Sequence, residues 1–350
     1  MHGRRRLATR RRRGAGLTPS PPPHWRPTAD LDHLPTSLPV ALWSDLRQAG
    51  LIRADATVPA QREAPMPDVP IVDSHVHFWD SGIHPLAWTR ARPGLDRPFA
   101  PTDLDADRGA VAVEALVVVE ADVDPGLYLK EAAWAAQLAE RDRRIRAVVA
   151  HAPLEHGPAV GSDLEKLAAQ PIVRGVRRLL EGRDATALCG DPGFREAVRM
   201  LARFDLHFEL GLTHDQLPAA IDLVRACPEV RFVLDHMAKP AIAEGRREPW
   251  WQQIAELAAL EQVVACKISG VATAADPAAW REAELRPYID RALEVFGVER
   301  VMFGSDWPVA RLAVGYAHWV GIVDRAVADW PLGDVRRLFA DNARTVYRLG

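Results

Sequence analysis

The chain has 350 residues, room for one large domain or two ordinary ones. Hydrophobic residues at 48% and charged residues at 26% are the mix of a folded chain, which excludes a wholly disordered one. The 44 bases and 47 acids leave a net charge of -3, too balanced to point to nucleic acid.

That balance hides an asymmetry. Eight arginines (Arg4, Arg5, Arg6, Arg10, Arg11, Arg12, Arg13 and Arg26) precede the first acid, Asp30, so 36 bases face 47 acids over the rest, a charge of -11. Cys189, Cys227 and Cys266 form no C-x-x-C pair, an odd count that fits a reducing compartment without a disulfide framework. No apolar run approaches the ~18 residues of a membrane span. The arginine-rich start leads into no apolar signal core. A cytoplasmic protein with no membrane or nucleic-acid partner is the expectation.

Residues 1–36 are rich in Arg and Pro and offer little to bury, so a disordered extension is predicted there. Residues 37–70 read as a short amphipathic helix around Leu42, Trp43 and Leu46, stopped at Gly50, then a proline-rich linker. A domain over 71–350 follows. In it, eight short apolar runs alternate with amphipathic segments: Ile71–His77, Glu114–Glu120, Ile145–His151, Val173–Leu179, Leu206–Leu212, Val230–His236, Val263–Ser269 and Arg300–Ser305. Their near-continuous hydrophobicity suits strands buried on both faces. Ser162…Glu165 and Thr213…Gln216 read as capping boxes, and Asp191-Pro192 and Asp276-Pro277 as helix starts. Val335, Leu338, Phe339, Ala343 and Val346 mark a last helix. Eight strands and about as many helices predict a (β/α)₈ barrel. The competing doubly wound sheet would carry a glycine-rich loop after its first strand, where this chain has Asp73-Ser74-His75-Val76-His77.

In such barrels the active site sits at the C-terminal strand ends. The ionisable residues found there are His75, His77, Glu120, His151, Arg177, Arg178, Glu209, His236, Lys267 and Asp306. His75 and His77, two apart on a strand, point the same way and can chelate one divalent ion; a pair of hydrogen-bonded core histidines is the bland alternative. Asp306 closes an apolar strand and needs a partner, be it metal, histidine or water. The chain has four lysines against 40 arginines, and two of the four, Lys239 and Lys267, stand at strand ends. By alternation one of Arg177 and Arg178 faces the interior. No G-x-S-x-G context supports a serine nucleophile.

Ile71-Val72-Asp73-Ser74-His75-Val76-His77-Phe78-Trp79-Asp80, Val233-Leu234-Asp235-His236-Met237-Ala238-Lys239-Pro240 and Phe303-Gly304-Ser305-Asp306-Trp307-Pro308 together resemble the amidohydrolase-related family, in its sugar-acid lactonase branch. The resemblance runs from Ile71 to the end. It implies hydrolysis of a lactone by activated water, with His75, His77, His236 and Asp306 catalytic. Arg177, Glu120, Lys267, Trp307 and Glu209 would then bind substrate. It implies no required cofactor, or one zinc-like divalent ion on His75, His77 and Asp306. A second ion is not expected, because the fourth and fifth strands carry Arg177 and Glu209 where two-metal members carry ligands. The rivals are a metal-dependent decarboxylase of the same group and an inactive barrel that only binds. Leu38 to Pro59 resembles the C-terminal tail of aldo/keto reductases, which favours a sugar lactone over an aromatic one. A homo-oligomer is compatible with the sequence.

Overall fold

The computed structural model describes residues 67–349, apart from 93, 277 and 278. The expected disordered extension, the short helix and the reductase-like stretch lie outside the described residues. From Ile71 the chain forms an eight-stranded parallel sheet in sequential order. Its strands are β1 Ile71–Val76, β2 Val113–Val119, β3 Ile145–His151, β4 Val173–Arg177, β5 His207–Leu210, β6 Phe232–Leu234, β7 Val263–Ile268 and β8 Val301–Phe303. Past the end of β8 the sheet closes on β1. Asp306 N–H donates to the His75 carbonyl at 2.9 Å, and His77 N–H to the Trp307 carbonyl at 2.7 Å. The (β/α)₈ barrel is therefore the fold, and the doubly wound sheet is excluded by this sequential order and closure.

Around it run α1 Pro101–Arg108, α2 Tyr128–Arg141, α3 Gly161–Ala168, α4 Ala185–Gly190, α5 Pro192–Arg203 and α6 Leu217–Ala226. They are followed by α7 Trp250–Ala258, α8 Glu282–Phe296, α9 Tyr316–Ala326, α10 Leu332–Arg336 and α11 Asn342–Tyr347. The Asp191 start is as expected, its carboxylate accepting from Phe194 N–H at 2.8 Å. At the Thr213 start, Gln216 Oε1 accepts from Thr213 N–H at 3.1 Å. One expected start is corrected. Ser162 lies inside α3, because the 3₁₀ turn Leu154–Val160 runs directly into that helix and supplies its first acceptors. The Asp276-Pro277 start includes Pro277, which lies outside the described residues; α8 begins at Glu282, where Glu284 accepts from Arg281 N–H at 2.8 Å. The expected last helix is present but broken by a π-turn over Arg337–Asp341.

Two apolar cores result from strand alternation. Outward strand residues such as Val76, Val118, Phe208 and Ile268 pack against the helices. Inward residues Val72, Val117, Val149, Val233, Ala265 and Met302 fill the barrel and meet Ala340, Ala343 and Tyr347 of the C-terminal segment. Two residues further along the same inward faces stand Asp235 after Val233 and Lys267 after Ala265. Period-two geometry thus lifts a charged layer directly above an apolar one.

Candidate active site

Above that layer lies a cavity of about 310 Å³. His77, Arg177, His236 and Asp306 line it. Asp306 Oδ1 stands 3.4 Å from His77 Nε2 and 3.8 Å from both His75 Nε2 and His236 Nε2. The backbone that brings them together is bent. Asp306 has φ 58°, and His236, Met237, Ala238 and Lys239 all have positive φ. These residues leave the sheet ladder and bring His236, Lys239 and Asp306 to the cavity, which is why the expected strands overran the real ones here. Gly270, at φ 63°, makes room for them: a Cβ there would lie 2.7 Å from both Asp306 Oδ2 and His236 Nδ1.

His77 Nδ1 faces the Val119 carbonyl at 2.9 Å and must donate to it, so its Nε2 lone pair is free. That nitrogen lies 3.1 Å from His75 Nε2. Two imidazole nitrogens at that spacing suit a right-angled chelate with bonds of about 2.1 Å. His75, His77 and Asp306 are thus a donor set that fits one divalent ion. The Arg177 guanidinium stands beside this set, with Nη1 3.4 Å from His75 Nε2.

Arg177 rather than Arg178 faces inward. Its Nε donates to Glu120 Oε1 at 2.6 Å, its Nη2 to the Glu120 carbonyl at 2.6 Å, and its Nη1 to Asp235 Oδ2 at 3.3 Å. Arg178 turns away to Glu155. Burial works against the charge on Glu120, but Arg177 outweighs it and holds that carboxyl below its usual range. Burial likewise opposes the Asp306 charge, yet His236, His77 and His75 around it keep its carboxyl low. His75 itself is depressed well below the ordinary imidazole value, by burial first and the Lys267 charge second.

Three residues expected to bind substrate lie outside the cavity wall. Lys267 and Glu209 are wholly buried beneath the cavity: Lys267 Nζ donates to Glu209 Oε2 at 2.6 Å and lies 3.0 Å from His75 Nδ1. Trp307 packs against Phe78 and Phe99, with its indole N–H on Asp107 at 2.8 Å. None of the three lines the cavity. Glu120 is also buried and acts on Arg177, which does line it. The reason is common to all: strand-end position locates a residue near the mouth but does not say which layer it occupies.

Asp235 escaped notice in the sequence, although it directly precedes His236. It sits at the centre of the charged layer, 3.0 Å from Lys267 Nζ, 3.3 Å from His75 Nδ1 and beside Arg177. Its two-residue offset from inward Val233 is the signal that finds it. Tyr347 was also missed; its hydroxyl donates to Glu209 Oε1 at 2.6 Å from the far end of the chain. Trp88, Arg92, Asp122 and Glu181 complete the cavity wall from loops that carry no periodic signal. Lys239, noticed for its rarity, lines it too.

The amidohydrolase family model matches residues 72–349. An L-fucono-1,5-lactonase of Burkholderia ambifaria is 32% identical over 283 residues, covering 79% of this chain and 95% of that protein. A second L-fucono-1,5-lactonase, from Burkholderia multivorans, is 33% identical over 268 residues, 73% of this chain and 87% of its own. Among solved structures, an amidohydrolase from Burkholderia multivorans crystallised with zinc superposes with a TM-score of 0.71 at 31% identity, over 81% of this chain and 100% of its own.

Proposed function

The chain belongs to the amidohydrolase family, and we propose that it opens the ring of a sugar-acid lactone by attack of an activated water. The observation that carries this reading is the buried Asp306 carboxylate at the cavity floor, faced by the Nε2 atoms of His75, His77 and His236 at 3.4–3.8 Å. Two relatives named L-fucono-1,5-lactonase, each more than 30% identical, support the lactone as substrate.

A water held between Asp306 and the bound lactone gives its proton to the carboxylate and attacks the ring carbonyl. The negative charge that develops on the carbonyl oxygen faces Arg177, whose position Glu120 and Asp235 fix before substrate arrives. His236, anchored through Nδ1 to Ser269 Oγ at 2.8 Å, directs Nε2 into the cavity and relays to the leaving ring oxygen the proton that Asp306 took from the water. One divalent ion on His75, His77 and Asp306 would add Lewis-acid polarisation, and the zinc in the Burkholderia multivorans crystal supports that occupant. An ester expels an alkoxide, far less basic than the nitrogen anion an amide would expel, so modest activation suffices.

The three free, buried cysteines support work in the reducing cytoplasm. No helix among the described residues is long and apolar enough to cross a membrane. The decisive experiment is a panel of aldonolactones assayed with a pH indicator. Release of one proton per ring opened, fastest on fucono-type lactones, is expected. Protein that opens no lactone on the panel overturns the reading.

A further inference from the structure

We infer that the ion pair between Glu181 and Lys239 is the specificity element of this cavity, reading adjacent hydroxyl groups on an uncharged lactone ring. The inference rests on the lactonase reading above and names what that site selects. Lys239 Nζ and Glu181 Oε2 lie 2.5 Å apart on the cavity wall, partly open to it. They come from different loops, one after β4 and one after β6. Glu181 is held by its backbone N–H on the Gly211 carbonyl at 3.2 Å. Lys239 ends the left-handed run that begins with His236, so its backbone is locked to that of the group assigned to protonate the leaving oxygen. The distance between the reacting end and the pair is therefore set by the fold.

Charge in the cavity does not favour an anionic substrate. Its charged lining groups are Arg92, Arg177 and Lys239 against Asp122, Glu181 and Asp306. Arg177 is committed to Glu120 and Asp235, and Lys239 to Glu181. Arg92 donates to the Trp88 carbonyl and lies over that indole, 5.2 Å from its ring centre. Three lining cations face three lining carboxylates, so the cavity offers an anion no net attraction. A pair made of one donor and one acceptor instead matches two neighbouring hydroxyls, one accepting from Lys239 and one donating to Glu181.

The test compares a six-membered aldonolactone with δ-valerolactone, which has the same ring and no hydroxyls. In wild-type protein the aldonolactone should be favoured. Lys239→Met and Glu181→Gln should each lower the ratio of the two kcat/KM values by about tenfold or more, chiefly through the KM of the aldonolactone. Lys239→Arg, which keeps the pair, should keep most of the ratio. A ratio unmoved in both disruptive variants, with the aldonolactone still opened, overturns the role of the pair alone. Wild-type protein that opens neither lactone overturns the lactonase reading and this inference with it.

Discussion

At the scale of single residues, the proposed chemistry concentrates on Asp306. Its left-handed backbone is one that Asp and Asn adopt more readily than other side chains. Asp306→Asn therefore keeps both shape and conformation while removing the ability to take a proton at neutral pH. General-base help is worth typically 10²–10⁴-fold, so kcat on the best lactone should fall by about that factor. The melting temperature should fall modestly, because the fold favours the charged form of this carboxyl and the amide forfeits that preference. Near wild-type turnover in this variant would remove Asp306 from the reaction and make His236 the base. The residues legible from sequence were those whose chemistry forces an exposed or paired position: two histidines two apart, and an acid closing an apolar strand. Glu181 and Asp122 were not legible, because a loop carboxylate has the same signature whether it lines a cavity or faces water.

Among the elements, the strands were readable because burial on both faces makes them continuous in hydrophobicity, and all eight were found. Their C-terminal ends were not, since His236 to Lys239 and Asp306 leave the ladder for backbone conformations that hydrophobicity does not encode. What the strands build inside the barrel is a stacked polar column. Tyr347 of α11 reaches Glu209 of β5, Glu209 holds Lys267 of β7, and Lys267 reaches His75 of β1. Gly175 on β4 makes way for His207 in the same layer: a Cβ there would lie 2.3 Å from the imidazole Nε2. Lys267→Met leaves the buried Glu209 charge without its cation, and breaking such a pair typically costs about 3–5 kcal/mol. Chemical denaturation should show a loss of that order. Lys267→Met combined with Glu209→Gln should recover part of it, because the Glu209 charge is gone while Asp235, also 3.0 Å from Lys267, keeps only Arg177. A single variant as stable as wild type would mean that the column contributes nothing to the fold.

For the whole molecule, stability at different pH values sums groups that the fold shifts in opposite senses. His75, His207 and His236 are buried and pushed below the ordinary imidazole value, burial being the largest cause in each. Below about pH 6.5 the unfolded chain takes up protons that these folded imidazoles refuse, so stability falls as pH falls. Glu131 on α2 acts on the other side. Burial first, then the Glu120 charge, raises its carboxyl to about 8. One of its oxygens accepts from Ala121 N–H at 2.7 Å, and the other has no partner among the described residues. From its unfolded value near 4.5 up to about 8, the folded protein holds this proton and the unfolded chain does not. Stability therefore declines as pH rises across that window, by at most about 1.4 kcal/mol per pH unit for one proton. Below pH 6.5 the three histidines oppose this decline, and above it Glu131 acts without them. The stability maximum should consequently lie near pH 6.5, with a falling limb to about pH 8. Glu131→Gln is neutral at every pH and similar in shape to the protonated acid. Denaturation midpoints of that variant between pH 6.5 and 8 should lie nearly flat while those of the wild type fall. A wild-type midpoint that is already flat over this range would show that Glu131 is ionised in the folded protein at neutral pH.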